Sequence, residues 1–169
     1  MASSRTALNH PPRTCMLTEG SPAPRFSLSA DDGSTVTLDA MKGKRVVLYF
    51  YPKDDTSGCT KEACEFRDSF PRFARNDAVI LGVSPDDVKS HVKFKEKYQL
   101  PFTLLADTKH EVAERYGVWK EKTLYGKKHM GVERTTFIID ENGRIAKIFA
   151  RVKPEGHAAE VERALKVEG

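Results

Sequence analysis

The sequence predicts a mixed α/β fold, with a central β-sheet flanked by helices on both faces and a terminal hairpin and helix completing it. Three observations carry this. The run from Arg45 to Tyr51 is apolar, β-branched and aromatic, as a central strand covered on both sides must be. Segments with the 3.6-residue helical period alternate with further strand-like runs. Near the C-terminus, two strand-like segments flank Asp140-Glu141-Asn142-Gly143, whose Asn-Gly marks a hairpin turn.

The elements follow in order. Residues Met1 to Met16 lack acidic groups and are rich in Ser, Thr and Arg. They read as a flexible tail, with a fragment of an organellar transit peptide as the alternative, and they lack the apolar core of a secretory signal. Residues 17–169 then form one domain. Phe26 and Leu28, then Val36 and Leu38, alternate with polar neighbours across the turn at Asp31-Asp32-Gly33, giving two short strands. After the central strand comes the loop Pro52 to Gly58 and a helix opening near Cys59. Cys59, Ala63, Phe66, Phe70 and Phe73 share one face of that helix, and Pro71 should kink or end it.

Ala78 to Val83 is a second buried strand. Ser84-Pro85-Asp86-Asp87 supplies a cap, an early proline and first-turn acids for a helix running to about Gln99. Phe102 to Leu105 is a third strand, followed by a short helix ending at Tyr116 with Gly117 placed to stop it. Lys120 to Lys128 reads as a polar loop. Thr135 to Ile139 and Arg144 to Phe149 form the hairpin, and a helix after Pro154 turns Ala158, Val161 and Leu165 inward. The fold is mixed α/β.

Composition narrows the function classes. The 169 residues carry 28 Lys and Arg against 24 Asp and Glu, a net charge of +4 spread along the chain without a basic stripe or aromatic platforms. No nucleic-acid partner is expected from that pattern. The longest apolar run, Val46 to Tyr51, falls far short of the ~20 residues of a membrane helix, so no membrane span is expected. Three cysteines, Cys15, Cys59 and Cys64, are an odd set that points to a reducing, cytoplasmic setting rather than a secreted disulfide framework. His10, His91, His110, His129 and His157 are scattered and none reads as a ligand or base; Trp119 reads as core.

The chemistry gathers at Tyr51-Pro52-Lys53-Asp54-Asp55-Thr56-Ser57-Gly58-Cys59-Thr60-Lys61-Glu62-Ala63-Cys64. Cys59 follows a strand–loop junction at the first turn of a helix, where free N–H groups and the positive dipole end favour an anion. The thiolate is the nucleophilic form of cysteine. Position alone equally fits a small buried residue at a helix end. Cys64 adds weight. Five residues on a helix turn it about 140° from Cys59, with Cα atoms about 8.7 Å apart. A disulfide rarely tolerates more than ~7 Å, so a bond between them requires the first turns to unwind. That geometry disfavours a structural staple, leaving a redox cycle or two unconnected thiols. Glu62 reads as helix chemistry, in the manner of a capping box.

Pro52, Thr56 and Cys59 match the pattern Pro-x-x-x-Thr/Ser-x-x-Cys, Cys64 follows five residues on, and Gly131 to Asp140 carries Arg134 on a strand. On these motifs, in order over roughly residues 17–165, the chain resembles the peroxiredoxins, and in detail their bacterioferritin-comigratory-protein or peroxiredoxin Q subfamily. Ser57 stands where many relatives have Pro, which removes no chemical group. The resemblance implies a thioredoxin-like fold with extra N-terminal strands, and hydroperoxide reduction without metal or organic cofactor. Cys59 would be the peroxidatic nucleophile and Cys64 the resolving thiol. Arg134 would stabilise charge on sulfur and peroxide, Thr56 would orient the peroxide, and Pro52 would shield the sulfenic acid. Backbone N–H groups at Gly58 and Cys59 would complete the anion site. It also implies a thioredoxin-like dithiol reductant and a monomer. Two other readings stay open: a thiol–disulfide oxidoreductase without peroxidase activity, against which stands Cys-x4-Cys in place of Cys-x-x-Cys, and a copper-binding module using both cysteines and a histidine.

Overall fold

Every residue of β3 (Arg45–Phe50) is buried, as a strand apolar on both faces requires. The computed structural model describes residues 17–168. The expected tail and Cys15 lie outside them. In chain order the elements are β1 (Ser27–Ala30), β2 (Thr35–Thr37), β3, α1 (Ser57–Arg75), β4 (Ala78–Ser84), α2 (Val88–Tyr98) and β5 (Thr103–Ala106). Then come α3 (Glu111–Arg115), β6 (Trp119–Leu124), β7 (Lys127–Val132), β8 (Thr135–Ile139), β9 (Ile145–Phe149) and α4 (His157–Glu168).

A seven-stranded sheet runs in the order β2-β1-β5-β4-β3-β8-β9. β3 pairs parallel with β4 (Leu48 opposite Leu81) and antiparallel with β8 (Leu48 opposite Phe137), so the sheet is mixed as expected. The N-terminal strands extend it through an antiparallel pairing of β1 with β5. Because successive side chains alternate, Val46, Leu48 and Phe50 enter one core with Val112, Ala113 and Tyr116 from α3 and its end. Val47, Tyr49 and Tyr51 enter the other, under Phe66 and Phe73 of α1, Phe94 of α2 and Val161 and Leu165 of α4. Helices thus cover both faces.

Three local expectations need correction. Helix α1 begins at Ser57 and runs through Pro71 to Arg75. Burial of Phe73 and the Arg72 pair with Glu162 on α4 (2.9 and 3.0 Å) hold the last turn past the proline. The cap of α2 is Asp87, whose carboxylate accepts from Ser90 N at 2.8 Å, whereas Ser84 ends β4 and donates to Asp86 at 2.7 Å. In the β8–β9 turn only Gly143 has positive φ (81°), and Gly143 N donates to Asp140 O. The expected hairpin with Asn-Gly at its turn is therefore present, as a type I turn followed by a left-handed glycine.

The stretch from Lys120 to Lys128 is no loop. β6 and β7 pair as a separate two-stranded sheet around Tyr125 and Gly126, both at positive φ (53° and 77°). Most of its side chains are solvated, so no apolar alternation announces it.

Candidate active site

The loop between β3 and α1 delivers Cys59 to the third position of the helix. Thr56 is the residue before the helix; its carbonyl accepts the first helical bond from Thr60 N at 2.8 Å. The N–H groups of Gly58 and Cys59 therefore have no partner one turn back and face outward at the positive end of the dipole. Cys59 is buried at 1% exposure and Cys64 is half-buried; both are free thiols in one continuous helix. The Thr56 hydroxyl is exposed and donates to Lys53 O at 3.0 Å, which leaves its lone pairs free to accept. Pro52 is half-buried at the start of the same loop.

Arg134 arrives from the other direction. It occupies, with Glu133, the short link between β7 and β8, beyond the strand on which it was expected. Its backbone is pinned by Val152 N, which donates to Arg134 O at 2.9 Å. Nη2 donates to Cys59 Sγ at 3.4 Å and Nη1 to Glu62 Oε1 at 2.7 Å. A guanidinium in contact with sulfur stabilises negative charge there and on an attached peroxide oxygen. The structure thus brings Cys59, Arg134 and Gly58 into contact range and places Thr56 and Pro52 on the preceding loop.

Glu62 is the residue that sequence reasoning assigned too small a part. It makes no cap; its side chain is fully buried against Arg134, with Oε2 lacking any partner among the described residues. Burial pushes its carboxyl up to about 7, against the opposing pull of Arg134. The signal was present: Glu62 lies about 60° from Cys59 around the helix, on the apolar face. Lys122 of β6 brings a second cation near the site. Its pKa is held below the usual lysine range, by burial first and then by the charge of Arg134.

Gly58 is closely packed, and it is this rather than backbone conformation that disfavours a side chain there. A Cβ there would come 3.1 Å from Arg134 Nη2 and 3.4 Å from Pro154 Cγ. Gly58→Ala is therefore expected to push the guanidinium off Cys59 and slow the reaction with hydrogen peroxide by roughly 3–10-fold. Alanine is the better helix former by up to ~1 kcal/mol, so the melting temperature should not fall. Stopped-flow oxidation with thermal unfolding checks this, and an unchanged rate would show that the guanidinium moves aside at no cost to the chemistry.

Among the described residues, no group of three His, Cys, Asp or Glu side chains is placed to hold a metal ion, and no helix is long and apolar enough to cross a membrane.

Residues 20–148 match the AhpC/TSA family. Peroxiredoxin Bcp of Bacillus subtilis is 55% identical over 147 residues, covering 87% of this chain and 94% of that one. A putative peroxiredoxin bcp of Coxiella burnetii is 55% identical over 142 residues, covering 84% and 94%. Among solved structures, Xanthomonas campestris bacterioferritin comigratory protein, whose structural description concerns alkyl peroxide reduction, superimposes with a TM-score of 0.81 at 41% identity, covering 85% of this chain and 91% of that one.

Proposed function

The chain belongs to the AhpC/TSA family and is a thiol-dependent peroxidase of its Bcp/Q peroxiredoxin group, with the thioredoxin-like fold; from that premise we propose how its own residues carry the reaction. The family acts on hydroperoxides and draws on a thiol reductant. The observation that carries the residue assignments is the Arg134 guanidinium seated on Cys59 Sγ at a helix N-terminus.

Cys59 is the peroxidatic thiol. Its sulfur attacks the terminal peroxide oxygen, the O–O bond breaks, and the thiol and ROOH become a sulfenic acid and ROH. Arg134 stabilises charge on sulfur and on both peroxide oxygens, and the Gly58 and Cys59 N–H groups support the same anion. Thr56 accepts from the hydroperoxide O–H and Pro52 shields the sulfenic acid. Cys64 then displaces water from the sulfenic sulfur, forming an intramolecular disulfide. A dithiol of the thioredoxin class reduces it, and its own thiols become a disulfide. Residues 17–169 form the catalytic domain behind a tail at 1–16, and the enzyme works as a cytoplasmic monomer on hydrogen peroxide and organic hydroperoxides.

Intact-mass and peptide mapping after one equivalent of hydrogen peroxide on fully reduced protein tests these assignments. The expected product is two hydrogens lighter with a Cys59–Cys64 link, and Cys64→Ser should instead trap a sulfenic acid at Cys59. Thiols unchanged after seconds, or oxidation mapping elsewhere, would reject the assignment.

A further inference from the structure

The loop that carries Thr56 into Cys59 is tied down by a buried polar cluster outside the reaction centre. Asp54, at 7% exposure, accepts from Tyr51 Oη at 2.6 Å and from Ser90 Oγ at 2.8 Å, and its Oδ2 lies 2.7 Å from His91 Nδ1. The Asp54 backbone N–H donates to Asp86 Oδ2 at 2.7 Å. One residue on, Asp55, at positive φ (61°), accepts from Lys97 Nζ and Tyr98 Oη, both at 2.8 Å. Helix α2 therefore grips two successive loop residues from one side.

His91 is the centre of that grip. It is completely buried, and its Nε2 lies 2.9 Å from Leu105 O on β5. A backbone carbonyl can only accept, so Nε2 carries a hydrogen. The contact between Nδ1 and Asp54 Oδ2 then needs a second proton. His157 makes the contrast: its Nε2 meets the Thr136 hydroxyl, which can donate or accept, so that ring can be neutral. The groups facing His91 favour a charged ring: Asp54 from the loop, Asp86 from the β4–α2 connection and the Leu105 carbonyl. Burial opposes the charge, yet these partners hold its pKa above the ordinary histidine range. Tyr51, also packed near the ring, stays a neutral donor because burial drives its own pKa well up.

We propose that His91, held as an imidazolium between Asp54 and the Leu105 carbonyl, is a positioning residue that fixes the loop carrying Thr56, ahead of the helix that holds Cys59, so that the peroxide is oriented for attack. It touches no reacting atom. The proposal rests on Cys59 being the peroxidatic thiol. Its effect falls on peroxide orientation rather than on the sulfur itself, because His91 acts on the loop through Asp54 while Arg134 reaches Sγ from the β7–β8 link.

Two measurements on the full, reduced chain test it. Imidazole ¹⁵N NMR near neutral pH should show both His91 nitrogens protonated; a bare Nδ1 would overturn the proposal. His91→Phe, which deletes both bonds, should slow oxidation by hydrogen peroxide about 10–100-fold, in the range that small misplacements of reacting groups cost. His91→Asn, which can still donate to Asp54, should recover most of that loss. Alkylation of Cys59 by iodoacetamide needs no peroxide orientation, so it should stay within about threefold of the parent in both variants. In His91→Phe, peroxide and alkylation rates falling together, or neither falling, would overturn the positioning role; where that variant folds poorly, a peroxide rate in His91→Asn more than about tenfold below the parent's would overturn it instead. Failure of the parent protein itself to form the Cys59–Cys64 link would instead reject the underlying assignment.

Discussion

Arg134→Gln is expected to slow the reaction of Cys59 with hydrogen peroxide by about 10²- to 10³-fold, the usual cost of losing a charged donor aimed at developing negative charge. The same substitution strands Glu62. Its side chain has no exposure, and Arg134, itself at 15%, is its one hydrogen-bonded partner among the described residues. Removing one member of a buried pair costs up to ~3–5 kcal/mol when the other stays charged. Glu62 has an escape, because burial already raises its carboxyl to about 7 with Arg134 present. Without the arginine it rises further, so the loss of stability should be small at pH 6 and grow by pH 8.

The parent protein carries a milder form of the same dependence. A carboxyl whose folded pKa exceeds its unfolded value binds its proton more tightly when folded. The stability it contributes is complete below pH ~4.5 and is lost as pH rises through about 7, by an amount on the order of 3 kcal/mol. Urea unfolding of reduced protein between pH 5 and 8 should show that decline, and Glu62→Gln should remove this contribution to it. In the Arg134→Gln background, Glu62→Gln should restore stability at pH 8 without restoring the peroxide rate. A peroxide rate within about threefold of the parent in Arg134→Gln would contradict the role given to the guanidinium.

Oxidation to the Cys59–Cys64 disulfide should dismantle the N-terminal half of α1. Both cysteines sit in one unbroken helix, and two residues five apart on a helix hold their Cα atoms beyond disulfide range. Pro71 marks a natural limit, since it cannot donate to the Arg67 carbonyl one turn back. Beyond that point Arg72 is held by Glu162, while Arg67 is tied to Tyr98 O at 2.8 Å. Hydrogen exchange should therefore show amides of about residues 60–66 losing protection on oxidation, with those near the end of α1 keeping theirs. Cys64→Ser should show no such change and, with excess peroxide, should proceed at Cys59 to the sulfinic acid. Full protection across α1 in protein proven to hold the disulfide would refute the geometry.

The central strand, the apolar face of α1 and the inward positions of α4 were legible because each repeats a simple period against a buried surface. The thiol pair was legible because its spacing is local. What escaped reading depended on distant partners. Glu62 looked like a capping residue until Arg134, 72 positions later, arrived to pair with it. His91 looked incidental because Asp54 lies 37 residues away on another element. Asp87 displaced Ser84 as the cap of α2 because β4 continues to Ser84 itself, committing that serine to the sheet. The β6–β7 ribbon escaped for the opposite reason: with most side chains in water, its pattern records no core.

That ribbon divides the molecule into parts that tolerate change differently. Its tip at Tyr125 and Gly126 is joined to the rest by two strands, and Tyr125 is 95% exposed. Its base is another matter: Glu133 N donates to Val118 O at 2.7 Å, and the next residue is the arginine that meets Cys59. Insertions, tags or a new chain opening can accumulate at the tip while the reacting atoms keep their places. A single residue gained or lost between Val132 and Thr135 shifts the arginine out of reach. Descent and engineering alike therefore have a freely variable appendage here, mounted on a joint whose length is fixed.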